Sequence, residues 1–406
     1  MTCDDGGVTT TIAGRREPAA PRTAEEVLQA AEDLVPVLRE HAAQIDEDRR
    51  IPDHLYAALE DAGLFHILKP RRYAGFELSE DVHAMVTLTL ARGCASTAWV
   101  FGILSGQNLA ILCFPEEAQD DIWGADTYAT LAGNTNLNPA AEAVRVDGGY
   151  RLTGSWGYCS GSDFAQWLIF NAPVGPGREG HMLLVPREEA ETVDDWFPTG
   201  LRGTGSRTMR VTDAFVPDHR VIRTADTSFK FAERRALHPT FDAMWSPWPS
   251  HGRFTFAVCG LGAALGAAEH FAATSATATR VADALGGAVR LADQDYVASE
   301  YAEAAGELEM ARLLVEQRSR EAADSARRHV LPDEPVLAQQ HRDNALVTRV
   351  ALREVGRLHA LVGAKAGFPQ HPVSRAKRDA EMVAAHVTLS WRQAAVRYLA
   401  SVTGAA

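Results

Sequence analysis

The stretch EAVRVDGGYRLTGSW, residues 142–156, interrupts a chain that is otherwise patterned for helices. Apolar and polar residues alternate on both sides of Asp147-Gly148-Gly149, which predicts two strands joined by a tight turn. Further segments between residues 166 and 222 combine aliphatic runs with glycine and proline turns, as strands do. The sequence therefore predicts a central antiparallel β-domain, a small barrel or sandwich, over about 125–225.

Helical patterning lies on both sides of this domain. Residues 23–124 open with Thr23 and Glu26 at the spacing of a capping box, and apolar residues follow at helical intervals. Long helical segments separated by glycine- and proline-rich breaks predict a C-terminal four-helix bundle over 226–406. Residues 1–22 are predicted to be a flexible tail. The expected fold class is thus α+β, mostly α.

Composition limits the class of protein. Of the 406 residues, 46% are apolar and 23% are charged, which is typical of a globular chain. The formal charge of −13 predicts neither nucleic acid nor membrane as a partner, because both need a basic surface. Five scattered cysteines without a C-x-x-C pair predict no metal site and fit a reducing, cytoplasmic location. No apolar run of transmembrane length and no signal peptide are expected.

Two segments of the predicted bundle have unusual residues. Gly260, Gly262 and Gly266 lie in an apolar helix, where small residues allow close helix packing. The segment SRAKRDAEMVAAHVTLSW, residues 374–391, is predicted to be one helix whose polar stripe includes His386. From the residues alone, His386 is a packed core residue, a metal ligand or a proton-transfer group. A metal is disfavoured because no second histidine follows at helical spacing.

The order of helices, β-insert and bundle resembles the acyl-CoA dehydrogenase fold over nearly the whole chain after about residue 25. The segments that carry this resemblance are IPDHLYAALEDAGLFHILKPRRYAGFEL (51–78), CASTAWV (94–100), GYRLTGSWGYCSGSDFAQWLIF (149–170) and GLRGTGSRTMRVTDAFVPDHRV (200–221). Within this superfamily the chain more closely resembles the group D flavin-dependent monooxygenases of the 4-hydroxyphenylacetate hydroxylase type. The motifs for this are W-x-x-x-S-G from Trp156, GLRGTGS, and the segment from Pro372 to His386.

The resemblance implies the oxygenase component of a two-component monooxygenase that hydroxylates an aromatic small molecule, polycyclic ones included, through a flavin C4a-hydroperoxide. Reduced FMN is the expected cofactor, with FAD as the alternative, and O₂ is the co-substrate. A separate NAD(P)H:flavin reductase and a homotetramer are also implied. The chain contains no G-x-G-x-x-G before a helix, which agrees with a protein that does not reduce its own flavin.

The resemblance also assigns residues to the cofactor. Ser160 is expected to hydrogen-bond the flavin near N5, which protects the oxygen adduct, while Trp156 packs against the ring. Thr204 and Ser206 lie in a glycine-rich loop that can present hydroxyl and amide groups to the flavin. Arg280, expected to close the first bundle helix, corresponds to an arginine that reaches the cofactor of a neighbouring subunit.

For the substrate, the resemblance implies that His386 removes the phenol proton, since an imidazole exchanges protons near neutral pH. Gln107 stands where many relatives carry a second histidine in the substrate pocket, and an amide cannot take that proton. Trp245, in the connector MWSPWPS, is expected to line a flat pocket or else to cover the bundle.

Three alternatives stay open from the sequence. The first is an acyl-CoA dehydrogenase, although these carry a catalytic glutamate in a turn close to residue 386, where AAHVTLSW is predicted to continue as helix. The second is an N- or S-oxygenase on the same scaffold. The third is a scaffold that binds a ligand without turnover.

Overall fold

The computed structural model describes residues 20–227, 233–246, 252–281 and 287–404, so residues 1–19 of the predicted tail lie outside it. The described helices are α1 (Ala24–Asp48), α2 (Asp53–Asp61), α3 (Glu80–Gly93), α4 (Ala95–Gly106), α5 (Asn108–Ile111), α6 (Glu116–Trp123), α7 (Gly252–Ser275), α8 (Asp295–Arg327), α9 (Glu334–Val362), α10 (Pro372–Ala384) and α11 (Trp391–Thr403). The described strands are β1 (Leu131–Leu137), β2 (Glu142–Val146), β3 (Gly149–Trp156), β4 (Trp167–Val174), β5 (Glu179–Pro186), β6 (Ala190–Val193), β7 (Thr208–Pro217), β8 (Val221–Arg223), β9 (Thr279–Val281) and β10 (Ala288–Arg290).

The predicted start of the helical domain is confirmed. The Thr23 hydroxyl accepts from the Glu26 amide at 3.2 Å, and the Glu26 carboxylate accepts from the Thr23 amide at 2.7 Å. These two bonds satisfy amides that the first turn of α1 leaves without helical partners.

The central sheet has the strand order β6-β7-β3-β2-β4-β5-β8, with β1 paired to β4. The hairpin of β2 and β3 is antiparallel, as predicted, with Glu142 opposite Thr153. The pairing of β1 with β4 is parallel, so the sheet is not wholly antiparallel. The sequence did not reveal β1 because LAGNTNL (131–137) alternates poorly between apolar and polar residues.

Helices α7, α8, α9 and α10 pack together as the predicted C-terminal bundle, and α7 also contacts α3 and α4. Two glycines explain how α7 approaches α3. A Cβ at Gly262 would lie 2.4 Å from the Ala91 Cβ, and one at Gly266 would lie 2.3 Å from the Arg92 carbonyl oxygen. The small residues therefore allow close helix contact, as predicted.

Helix α7 corrects one expectation from composition. Residues Phe254–Ser275 are long and apolar enough to cross a membrane, with a mean hydropathy of 1.4. The expectation that no apolar run reaches this length was wrong. In the fold, 67% of this window is buried, as in the central helix of a helical core, so the packing accounts for its composition.

The structure also corrects the position of Arg280. Helix α7 ends at Ser275, and Arg280 lies in β9, where it pairs with Val289 of β10. The β-branched threonines in the segment TSATATR disfavour helix, so the chain becomes extended before Arg280. Arg280 therefore does not close the first bundle helix.

A third correction concerns residues 374–391, which do not form one helix. Helix α10 ends at Ala384, and His386 then caps a short 3-10 turn, Val387–Leu389, that precedes α11. The His386 side chain competes with the helical pattern by accepting from the Thr388 amide, and Val387 and Thr388 are β-branched. The expectation that AAHVTLSW continues as helix was therefore wrong.

The close contact of α7 and α3 predicts that Gly262→Ala destabilises the protein by about 1–3 kcal/mol, because the methyl group overlaps Ala91 and the Leu88 carbonyl. Gly306→Ala in α8 is the control, since its Cβ meets nothing within 4 Å and alanine favours helix by up to about 1 kcal/mol. Urea unfolding midpoints measure both free energies. Equal midpoints for the two variants would contradict the packing argument.

Candidate functional site

A chain of hydroxyl groups joins α4 to the loop between β6 and β7. The Ser160 Oγ lies 2.6 Å from the Ser206 Oγ, which lies 2.6 Å from the Thr204 Oγ1. At one end the Trp99 indole N–H donates to Ser160 at 3.1 Å. At the other end the Thr204 hydroxyl donates to the Leu201 carbonyl at 2.8 Å. The structure therefore brings together three of the residues predicted from sequence, Ser160, Thr204 and Ser206.

The two ends of this chain fix the direction of its protons. A carbonyl can only accept, so the Thr204 proton points to Leu201, and the Ser206 proton must then point to Thr204. By the same count the Ser160 hydroxyl donates to Ser206, while the indole N–H donates to Ser160. Ser160 therefore keeps one acceptor lone pair and has no proton to offer. It is suited to accept a hydrogen bond from an N–H group of a ligand.

The loop that carries these hydroxyls is fixed by its backbone. Leu201 has φ 51° and Gly205 has φ 54°, both in the left-handed region. A Cβ at Gly203 would lie 2.1 Å from the Ile45 Cγ2 of α1, so only glycine allows this close approach. The glycine-rich sequence GLRGTGS is thus needed to place Thr204 and Ser206.

His386 also contacts Trp99. Its ring centroid is 4.1 Å from that of Phe256 and 5.7 Å from that of Trp99. Its Nδ1 lies 2.8 Å from the Thr388 Oγ1. Burial lowers the pKa of His386 to about 4, so the imidazole is neutral at neutral pH and is able to take a proton.

Trp156 is packed within the β-domain and is not part of the hydrogen-bonded chain of Ser160, Ser206 and Thr204. Its indole is 2% exposed, stacks on Phe170 at 4.3 Å and donates to the Asn171 carbonyl at 3.1 Å. This geometry favours packing within the β-domain. Tyr158, two positions before Ser160 in the chain, is 69% exposed and has φ 60°.

The predicted pocket residues Gln107 and Trp245 lie in different surroundings. Gln107 follows α4, and its Oε1 is buried with no hydrogen-bond partner among the described residues. Trp245 stacks on His329 at 4.7 Å and lies under the Arg235 guanidinium at 3.9 Å. It lines a cavity of about 110 Å³ with residues of α8 and α9. The Trp245 ring thus stacks on His329 rather than on Trp99 or His386, and the second tryptophan of the connector, Trp248, lies outside the described residues.

The polar residues of α10 bind other segments of the chain. Asp379 accepts a hydrogen bond from the Leu201 amide at 2.7 Å and forms no ion pair within 4 Å among the described residues. Arg378 instead pairs with Asp46 of α1 at 3.0 Å, and Arg375 donates to the Gln370 carbonyl at 3.3 Å. The described residues contain no group of three or more His, Cys, Asp or Glu side chains arranged to hold a metal.

Sequence reasoning missed Trp99, Phe256 and Tyr158. Trp99 and Ser160 are 61 positions apart, and their hydrogen bond follows from tertiary packing that no local pattern reveals. Tyr158 carried a weak signal, since an aromatic residue two positions before a hydroxyl at a strand end suggests a flat binding surface.

Comparison with known proteins agrees with this geometry. The acyl-CoA dehydrogenase N-terminal domain family matches residues 22–128, and the C-terminal domain family matches residues 254–391. The flavin-dependent monooxygenase oxygenase subunit HsaA of Mycobacterium tuberculosis is 33% identical over 371 residues, 90% of this chain and 92% of HsaA. The oxygenase component of the FADH₂-dependent resorcinol hydroxylase of a Rhizobium species is 33% identical over 388 residues, 92% of this chain and 93% of the relative.

Solved structures give the same result. The crystal structure of HsaA from M. tuberculosis superposes with a TM-score of 0.86 at 29% identity, covering 94% of this chain and 98% of HsaA. XiaF from a Streptomyces species, solved with FADH₂ and glycerol, superposes with a TM-score of 0.86 at 27% identity, covering 94% of this chain and 96% of XiaF.

The chain therefore has the acyl-CoA dehydrogenase fold. Within that fold it belongs to the oxygenase subunits of the flavin-dependent monooxygenases, which are oxidoreductases.

The direction of the hydroxyl protons predicts that Ser206→Ala weakens flavin binding. In this variant the Ser160 proton loses its acceptor and can turn toward the ligand. One neutral hydrogen bond corresponds to an affinity loss of about 2- to 10-fold for reduced flavin. Anaerobic fluorescence titration measures this affinity. Ser155→Ala, an exposed serine on β3, is the control. Equal affinities of the two variants would show that the hydroxyl chain does not orient Ser160.

Proposed function

We propose that this chain hydroxylates an aromatic small molecule, using O₂ and reduced flavin delivered by a separate NAD(P)H:flavin reductase. The observation that carries the proposal is that Ser160 and His386 both contact Trp99. This gives one site a hydrogen-bond acceptor and a neutral proton acceptor. The relatives named as resorcinol and p-hydroxyphenylacetate hydroxylases support a phenolic substrate.

The residues around Ser160 fit a reduced flavin. Its N5–H needs an acceptor, and the lone pair left on Ser160 supplies one. Tyr158, two positions before Ser160 in the chain, exposes an aromatic ring that a flat ligand can contact. When bound, the flavin supplies the activation of O₂, while the protein orients it and excludes water.

His386 is proposed to hold or remove the phenol proton. Burial keeps the imidazole neutral, so one ring nitrogen carries a proton and the other can accept one. Nε2 is the acceptor in the tautomer whose Nδ1–H donates to the Thr388 hydroxyl at 2.8 Å. This tautomer gives up the longer bond, 3.4 Å, that Nδ1 accepts from the Thr388 amide in the other tautomer. Phe256 and Trp99 supply aromatic walls next to this nitrogen. The unpartnered Oε1 of Gln107 is a further acceptor for a polar group of a substrate.

The rival activities fit less well. An acyl-CoA dehydrogenase needs a carboxylate base, and residues 384–391 contain no Asp or Glu although the chain does turn there. Oxygenation of nitrogen or sulfur stays a second candidate, because it needs the same flavin site. It does not need a base at His386, and this is the difference that an experiment can use.

The flavin type is part of the proposal. The sequence resemblance implies FMN, with FAD as the alternative, whereas the resorcinol hydroxylase and the XiaF structure carry FADH₂ in their names. We propose that both reduced flavins bind. Competition between them in the anaerobic titration gives the preferred one.

The decisive experiment mixes the reduced flavin–protein complex with O₂ in a stopped-flow instrument, with and without a panel of phenols, indoles and amines. Hydroxylated phenol and little H₂O₂ are expected. Oxidation of amines or sulfides alone would support the second candidate. Failure to bind reduced flavin would contradict both, and reduction of oxidised flavin by an acyl-CoA would support a dehydrogenase.

His386→Ala is predicted to lower product formation by about 100-fold or more, while reduced-flavin affinity stays within about twofold. The consumed O₂ should appear as H₂O₂, measured by a peroxidase assay. Because the pKa of His386 lies near 4, coupling in the wild type should stay flat between pH 8 and 5. Unchanged coupling in the variant would remove His386 from the mechanism, whereas an ascending limb near pH 6.5 in the wild type would contradict the lowered pKa of His386.

We further propose a homotetramer in the cytoplasm. Helix α11 exposes the apolar side chains of Val396, Leu399 and Val402, each 64–65% accessible, which a second copy would cover. The buried, unpaired thiols of the described cysteines fit a reducing compartment.

Leu399→Asp is predicted to break the assembly because it places a charge in that apolar face. Light scattering should show four chains for the wild type and fewer for the variant. The exposed but polar-flanked Val144→Asp on β2 is the control and should leave the mass unchanged. A monomeric wild type would contradict the proposal.

A further inference from the structure

We propose that Asp379 is a positioning residue. It fixes the backbone of Leu201 and, through it, the hydroxyl chain that ends at Ser160. Its Oδ1 accepts from the Leu201 amide at 2.7 Å, and the residue is 5% exposed. Leu201 is itself buried, so loss of this acceptor would leave its backbone N–H without a hydrogen bond inside the protein. This contact therefore anchors the loop to α10 strongly.

The backbone of Leu201 is the end of the hydroxyl chain. Its N–H, in the peptide shared with Gly200, is held by Asp379, while its carbonyl, in the next peptide, accepts from the Thr204 hydroxyl at 2.8 Å and from the Trp196 indole at 3.3 Å. That carbonyl is the acceptor that makes the hydroxyl protons of Ser160, Ser206 and Thr204 all point away from Ser160. If Leu201 turns away, Thr204 loses this acceptor and the order of the protons is no longer fixed.

Other contacts hold the same junction without touching the Leu201 peptide. Arg378 donates to the Thr199 carbonyl at 2.9 Å and to Asp46 at 3.0 Å. A Cβ at Gly200 would lie 2.1 Å from the Arg378 carbonyl oxygen, so the loop rests directly on the backbone of α10. These contacts provide a control, because removing the Asp46 carboxylate weakens the junction but leaves the Leu201 amide bonded.

Asp379 also links the two sides of the site. It lies on α10, which ends at Ala384, two residues before His386. The helix that leads to the proposed base is thus the helix that holds the end of the Ser160 chain. A single carboxylate therefore sets the position of the flavin acceptor relative to the substrate base.

The inference rests on the proposed function only where reduced flavin is taken as the ligand of Ser160. A first test therefore needs no flavin. Hydrogen–deuterium exchange of the peptide covering residues 199–208 is compared in the wild type, Asp379→Ala, Asp379→Asn and Asp46→Ala. Exchange should rise about tenfold or more in Asp379→Ala and stay near the wild-type rate in Asp379→Asn, whose amide oxygen still accepts, and in Asp46→Ala.

A second test measures reduced-flavin affinity in the same variants. Asp379→Ala should bind about tenfold more weakly, whereas Asp379→Asn and Asp46→Ala should stay within about twofold of the wild type. If Asp379→Ala does not fold, Asp379→Ser, which is too short to reach Leu201, replaces it. Unchanged exchange in the Ala or Ser variant, or equal losses in Asp46→Ala, would overturn the positioning role. A wild type that binds no flavin but shows the expected exchange pattern would instead contradict the proposed function alone.

Discussion

The indole of Trp99 is the contact on which the site depends. This residue of α4 donates to Ser160 of the β-domain, and its ring packs against Phe256 and His386 of the C-terminal region. A donor with one N–H and no lone pair can act in only one direction. That restriction makes Ser160 an acceptor and gives the two proposed reacting partners a common wall.

Much of the fold could be predicted because its signals are local. The capping box at Thr23 and the hairpin at Gly148 depend on residues a few positions apart, and both were found. The prediction of one helix through His386 was wrong because apolar periodicity cannot detect a side chain that bonds to a nearby backbone amide. Here the His386 side chain accepts from the amide of Thr388.

The site was predicted only in part. Ser160, Thr204 and Ser206 were named through the resemblance and lie together, whereas the hydrogen bond from Trp99 to Ser160 was not expected and the contact of Trp156 with the flavin stays a prediction. Alternation along β3 cannot tell which tryptophan is turned into the sheet core, because that depends on Phe170 in another strand. The bond of Asp379 to Leu201 spans 178 positions and could not be read from sequence.

The apolar character of α7 has a consequence for how the chain folds. This helix packs against α3, which precedes it by more than 150 residues, and against α9 and α10, which are synthesised after it. Its apolar surface cannot be fully buried until α10 has been synthesised, which is complete at residue 384. A shorter chain therefore exposes part of this apolar helix to water. Contacts of such long sequence separation also form slowly. Fragments that end before α10 are therefore aggregation-prone, so the domains of this chain are difficult to produce as separate fragments.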